Sequence, residues 1–188
     1  MIIDFKIWKE TMQDWAEKKD ASFHFAKTPS MGDNSDFFTI EIKITEDIYG
    51  LINISQSSFG GIDNINISFL KFETKTPINI NYDLSIYPKG FFERIFRLAK
   101  IKTGNKIFDN KFGIYTTDKK LATYFFSNKE IQNIFLKNQF LIFNIQKDKS
   151  LITFKNMETK LYNESELQKM LNNFIFILDL LEKYKYKV

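Results

Sequence analysis

Between Phe38 and Ile86 apolar residues recur at every second position in four successive runs, and this constrains the fold more than any other feature of the chain. Phe38, Ile40, Ile42 and Ile44 alternate with Thr39, Glu41 and Lys43. Ile52 and Ile54 repeat the pattern, and Ile65 and Ile67 follow. Leu70 and Phe72 then take the opposite parity, which predicts a β-bulge near Phe69–Leu70. Ile78, Ile80, Tyr82, Leu84 and Ile86 form the cleanest run and are expected on one face of a sheet. A period of two with short turns predicts a four-stranded antiparallel meander, one face dry and one wet.

On either side the period becomes helical. Phe5, Trp8, Met12 and Trp15 step by three or four, predicting a helix over 4–19. Residues 20–36 read as a polar connection. After Pro88-Lys89-Gly90 a helix is expected over 91–101, ending before Gly104, with Phe91, Ile95 and Leu98 on one face. A short strand is expected over 111–116, then a helix capped by Thr117-Asp118 and carrying Leu121, Ala122 and Phe125. Ser127 and Glu130 have capping-box spacing for the next helix. Phe140–Gln146 and Leu151–Asn156 read as a hairpin. A long final helix over 164–183, capped by Asn163 or Ser165, carries Leu167, Met170, Leu171, Phe174, Ile175, Leu178 and Leu181. The tail from Lys183 to Lys187 reads as a fraying end. The expected class is α+β: an N-terminal helix, a four-stranded meander, a helix, then β-α-α-β-β-α with the long helix packed on the sheet. No composition break divides the 188 residues, so one domain is expected, with pseudo-halves 1–101 and 102–188 sharing a core.

The segment from Thr103 to Ile114 carries a Thr-Gly-Asn, then Phe108-Asp109, then Phe112-x-Ile114. It resembles a signature in a family of uncharacterised bacterial proteins, seen in Bacteroidetes-like sequences. There too an Asp, here Asp118, precedes a helix, followed by a second short helix, a hairpin and a long terminal helix. The likeness spans roughly residues 89–183, about half the chain. It implies a fold and no activity. Physically the motif reads as a turn: Gly104 permits a sharp reversal, and Asp109 is placed to hold it through backbone N–H groups.

Several chemistries are excluded by count. There is no cysteine, hence no disulfide or thiolate site, and His24 is the sole histidine, so neither a catalytic triad nor a two-histidine zinc site can be assembled. Set between Phe23 and Phe25, His24 reads as a packed or surface residue. The Gly32-Asp33-Asn34-Ser35-Asp36 turn lacks the ligand spacing of a calcium loop. No phosphate-binding loop or dinucleotide fingerprint is present. No cofactor or metal is expected. The N-terminus lacks the order of a signal peptide and no apolar run reaches a membrane span, so a cytoplasmic location is expected.

One positive signal stands out of a net charge of +4. Lys89, Arg94, Arg97, Lys100, Lys102 and Lys106 face a single acidic residue, Glu93. With Asn105 these cations are the candidate partner-binding residues. The expected function is a non-enzymatic binding or adaptor module for another protein, as an immunity protein or a subunit of a larger assembly. Two alternatives stay open: peripheral binding to anionic lipid or nucleic acid through 89–106, and an enzyme with an unfamiliar site.

Overall fold

The computed structural model describes residues 5–28, 35–43, 48–59, 62–75, 81–90, 101–157 and 163–185. Within them the protein is α+β, with antiparallel strand pairing and a long C-terminal helix. Contacts divide the chain into two units, Met1–Thr74 with Met157–Lys169, and Lys75–Asn156 with Met170–Val188.

In the first unit, α1 (Phe5–Glu17) buries Met12, Trp15 and Ala16. Asp20 ends the following turn in the left-handed region at φ 52°, where the N–H of Ala21 returns to the carbonyl of Ala16. The chain then departs from the expected polar connection. Ser22–Thr28 is a strand, β1, because Phe23 and Phe25 sit at the alternating positions opposite Ile42 and Ile40 of β2 (Ser35–Lys43). Lys27 and Thr28 at its end disguise it in the sequence. β3 (Ile48–Phe59) and β4 (Ile62–Lys75) complete an antiparallel meander in the order β1-β2-β3-β4. Asn53 pairs with Phe69 but Ile54 with Ile67, leaving Ser68 as the extra residue of a bulge. That is one residue from the expected position, and it returns Leu70 and Phe72 to the buried face.

The second unit is a four-stranded antiparallel arrangement in the order β8-β7-β5-β6. Its strands are β5 (Leu84–Pro88), β6 (Phe112–Thr116), β7 (Leu141–Gln146) and β8 (Leu151–Asn156). β5 was expected as the last strand of the first meander. It instead pairs with β6 on one side and β7 on the other, an interior place suited to its buried Leu84 and Ile86. Ile78 and Ile80 lie outside the described residues, and Asn81–Asp83 precede the strand.

One face of this sheet is mostly apolar, with Asn156 opposite Leu141 and Thr116 opposite Leu84 at its ends. Ile86 lies between Ile114 and Phe143, and Phe143 lies opposite Phe154. Helices cover that face through aromatic rings. Phe125 of α3 (Lys119–Ser127) stacks on Phe143 at 5.9 Å. Phe135 of α4 (Lys129–Lys137) meets Phe112 edge-on at 5.6 Å. Phe174 of α5 (Glu164–Lys185) stacks on Phe154 at 5.7 Å. Each fully buried Phe contributes about 1.5–3 kcal/mol of hydrophobic transfer energy, so these rings dominate the cohesion of the unit.

Caps place the helices. Asp118 caps α3, its Oδ1 accepting from the N–H of Leu121. Asn128, and not the expected Ser127, caps α4, accepting from the N–H groups of Glu130 and Ile131. Ser127 still belongs to α3 and its hydroxyl donates to the Tyr124 carbonyl. Asn163 and Glu166 form a reciprocal capping box at the start of α5. The apolar stripe of α5 turns on Ile177, which is buried, while Ile175 is exposed. Its end is also firmer than expected, since Tyr184 is buried.

Candidate functional site

A further helix appears where only a turn was expected. α2 (Lys106–Lys111) is a short helix between the Thr-Gly-Asn turn and β6. Gly104 takes φ 83°, a conformation that glycine adopts without a Cβ penalty. The Asp109 carboxylate accepts from both the N–H (2.9 Å) and the hydroxyl (2.8 Å) of Thr103, folding the loop back onto the helix. Asn105 is the N-cap: its Oδ1 accepts from the N–H groups of Ile107 and Phe108, and its Nδ2 donates to Gln132 Oε1 at 2.6 Å. Gln132 is buried and its amide donates in turn to the Phe126 carbonyl. Lys89 donates through its ammonium to the Asp109 carbonyl. Phe108 is fully buried, with Phe112 at 5.1 Å, Phe126 at 5.3 Å and Phe135 at 6.1 Å. The turn is therefore anchored from within by one ring and from its ends by side-chain amides and carboxylate.

The outer face of α2 is different in character. Ile107 is 64% exposed, and Lys106, Asn110 and Lys111 around it are exposed, as is Lys102 before the turn. Lys111 follows Ile107 by one helical turn and so shares its face.

The candidate residues thus separate by role. Lys102 and Lys106 are exposed; Lys89 and Asn105 are bonded into the turn. Arg94, Arg97 and Lys100, with the helix expected over 91–101, fall on residues 91–100, outside the described residues. His24 is exposed on β1, in register with Glu41.

A second feature lies where sequence reading placed only a cap and a hairpin turn. Asn81, Tyr82, Thr117, Asp118, Lys119, Lys120 and Lys147 line an open cleft of about 400 Å³. Asp83 holds its three walls together. Its carboxylate accepts from the N–H of Lys147, its own N–H donates to the Thr117 hydroxyl, and its carbonyl accepts from the N–H of Thr117 and the hydroxyl of Thr116.

No family model, curated protein or solved structure matches this chain. In the cleft, burial pushes the Tyr82 phenol up to about 12, helped by Tyr184 and Asp118, so it is a hydrogen-bond donor at neutral pH. Both oxygens of Asp118 are engaged, one by Leu121 and the other by the Tyr184 phenol. Among the described residues no group of three His, Asp or Glu side chains is placed to hold a metal ion, and no helix is long and apolar enough to cross a membrane. The cleft was not legible in the sequence because its lining comes from three segments that only strand pairing brings together.

Proposed function

We propose that this protein is a non-enzymatic binding module whose partner is another protein with an acidic contact surface, engaged through the outer face of α2 and the turn before it. The observation that carries the reading is the exposed Ile107 with exposed Lys106, Asn110 and Lys111 on the same helix, whose inner side is locked, and exposed Lys102 before the turn. A small apolar centre with a charged rim is the usual anatomy of a specific protein contact. Locking matters because residues already ordered lose little entropy on binding. Asn105, Asp109 and Lys89 then act as supports of the contact residues, and Arg94, Arg97 and Lys100 extend the same charge along the chain. An immunity protein or an assembly subunit would both use such a surface, and membership in the bacterial family that the Thr103–Ile114 motif resembles is compatible with either.

The exposed lysines also favour a second reading, anionic lipid or nucleic acid as the partner. Salt separates the two: phosphate contacts are lost steeply as salt rises, an apolar-centred protein contact much less.

The test uses the full-length protein to capture partners from an extract of its source cells, then measures a purified partner against wild type and a Lys106→Glu, Ile107→Glu variant. Lys106 opens α2, where a carboxylate suits the helix dipole, so the variant is expected to fold. Affinity should fall roughly tenfold or more, with the charge change expressed mainly in the association rate. A folded variant with unchanged affinity would remove α2 as the contact.

A further inference from the structure

The cleft beside α3 has an unbalanced charge. Lys119, Lys120 and Lys147 line it and all three are exposed. None has a carboxylate within ion-pair distance among the described residues. The only carboxylate in the lining, Asp118, already accepts from Leu121 and Tyr184. The other polar groups there are donors or can donate: the Tyr82 phenol, the Asn81 amide and the Thr117 hydroxyl. The N–H groups of Lys119 and Lys120 open α3 and, as in any α-helix, find no partner within it. The walls are held in place by Asp83, so the lysine stems start from fixed positions.

We propose that this cleft is a binding site for a small molecule carrying phosphoryl groups. The three ammonium groups outnumber the Asp118 carboxylate of the lining and the Asp83 carboxylate bonded at its wall, so the cleft favours an anion, and a phosphoryl group carries up to about two negative charges at neutral pH. A volume of about 400 Å³ suits a compact ligand of this kind. Lysine recognises phosphate as a point charge, and the donors of Tyr82, Asn81 and Thr117 supply direction. The site shares no residue with the outer face of α2, so it stands or falls independently of the partner proposed above. This phosphoryl chemistry is common to a free phosphorylated compound and a phosphorylated lipid headgroup.

The experiment titrates the full chain with inorganic tripolyphosphate by calorimetry at about 0.15 M ionic strength, where charges beyond about 8 Å are screened. In parallel, phosphatidylcholine vesicles with and without phosphatidylinositol bisphosphate are tested by co-sedimentation. The expected result is one-to-one saturable binding that weakens roughly tenfold in a Lys119→Ala, Lys147→Ala variant, since two exposed charge contacts together are worth about that factor. Lysine-dependent binding of tripolyphosphate identifies a free ligand; lysine-dependent binding of the phosphoinositide vesicles alone identifies a headgroup. A Lys106→Ala, Lys111→Ala variant should bind as wild type does. All four lysines are exposed, so an unchanged thermal midpoint without ligand is expected in both variants. No saturation with either probe, equal binding of sulfate, or an equal loss in the Lys106, Lys111 variant would overturn the proposal.

Discussion

The Tyr184 phenol donates to Asp118 Oδ2 at 3.2 Å, tying the last turn of α5 to the cap of α3. The Tyr184 ring also lies 5.2 Å from that of Tyr124. Tyr184→Phe keeps the ring contact and removes only the hydrogen bond. It should cost about 1 kcal/mol in urea denaturation. No change in midpoint would mean that water replaces the phenol at no cost.

The pair also shapes behaviour at high pH. Burial raises Tyr82 to about 12, and burial with the Asp118 carboxylate raises Tyr184 above its ordinary value. In the unfolded chain both phenols titrate near 10. Above that pH the unfolded state loses protons that the native state retains. Their contribution to stability is therefore complete below pH of about 10 and is lost as pH rises through about 12. Urea midpoints measured across that window should fall more steeply for wild type than for Tyr82→Phe. Parallel slopes would place the relevant titration elsewhere.

Asn105 does two jobs, and two substitutions separate them. Asn105→Ser retains a capping oxygen but loses the bond to Gln132, whereas Asn105→Ala loses both. Stability should fall in the order wild type, Ser, Ala, with Ala about 1–2 kcal/mol below wild type. An alanine variant as stable as the serine variant would show that the cap contributes nothing.

Adjacent residues of α2 should respond in opposite ways. Phe108 is fully buried among three rings and Phe108→Ala should cost about 3–5 kcal/mol. Ile107→Ala, on the exposed face, should stay within about 0.5 kcal/mol. Thermal or urea unfolding reads both, and a large loss at Ile107 would mean that its side chain is packed against the protein itself.

Gly113 of β6 faces Tyr87 of β5 across the ladder. A Cβ at Gly113 would come within 2.6 Å of the Tyr87 ring. Gly113→Ala should therefore destabilise by about 1–3 kcal/mol. In a Tyr87→Ala background the same change should cost much less, a coupling measured by a double-mutant cycle. Additive effects would show that the ring moves aside freely.

Much of this architecture was legible because it rests on local periodicity. α1, β6, α3, β7, β8 and α5 each fall within a few residues of where the 3.6- and two-residue patterns placed them, and the parity change after Ile67 announced the bulge. β1 was hidden because its polar residues, Lys27 and Thr28 among them, gave seven residues the look of a connection. α2 was hidden because six residues are too few to display a helical period, and its stability comes from Asn105, Asp109 and the buried Phe108. Pairing is different in kind. Nothing local in Leu84–Pro88 states that it lies between β6 and β7, since a strand's period records which face is buried and not which neighbour it bonds. The basic character around Lys102 and Lys106 was visible from composition, and the exposure of Ile107 beside them was not. The cleft was beyond sequence reading altogether: Tyr82, Lys119 and Lys147 are distant in the chain and line one cleft because β5 pairs with β6 and β7 and Asp83 bonds to the segments that carry the two lysines. The sequence by itself determined the elements and their buried faces, through spacing and caps. Only the tertiary structure decided which strands are neighbours and which charges converge, because those depend on contacts between segments whose separation no local pattern encodes.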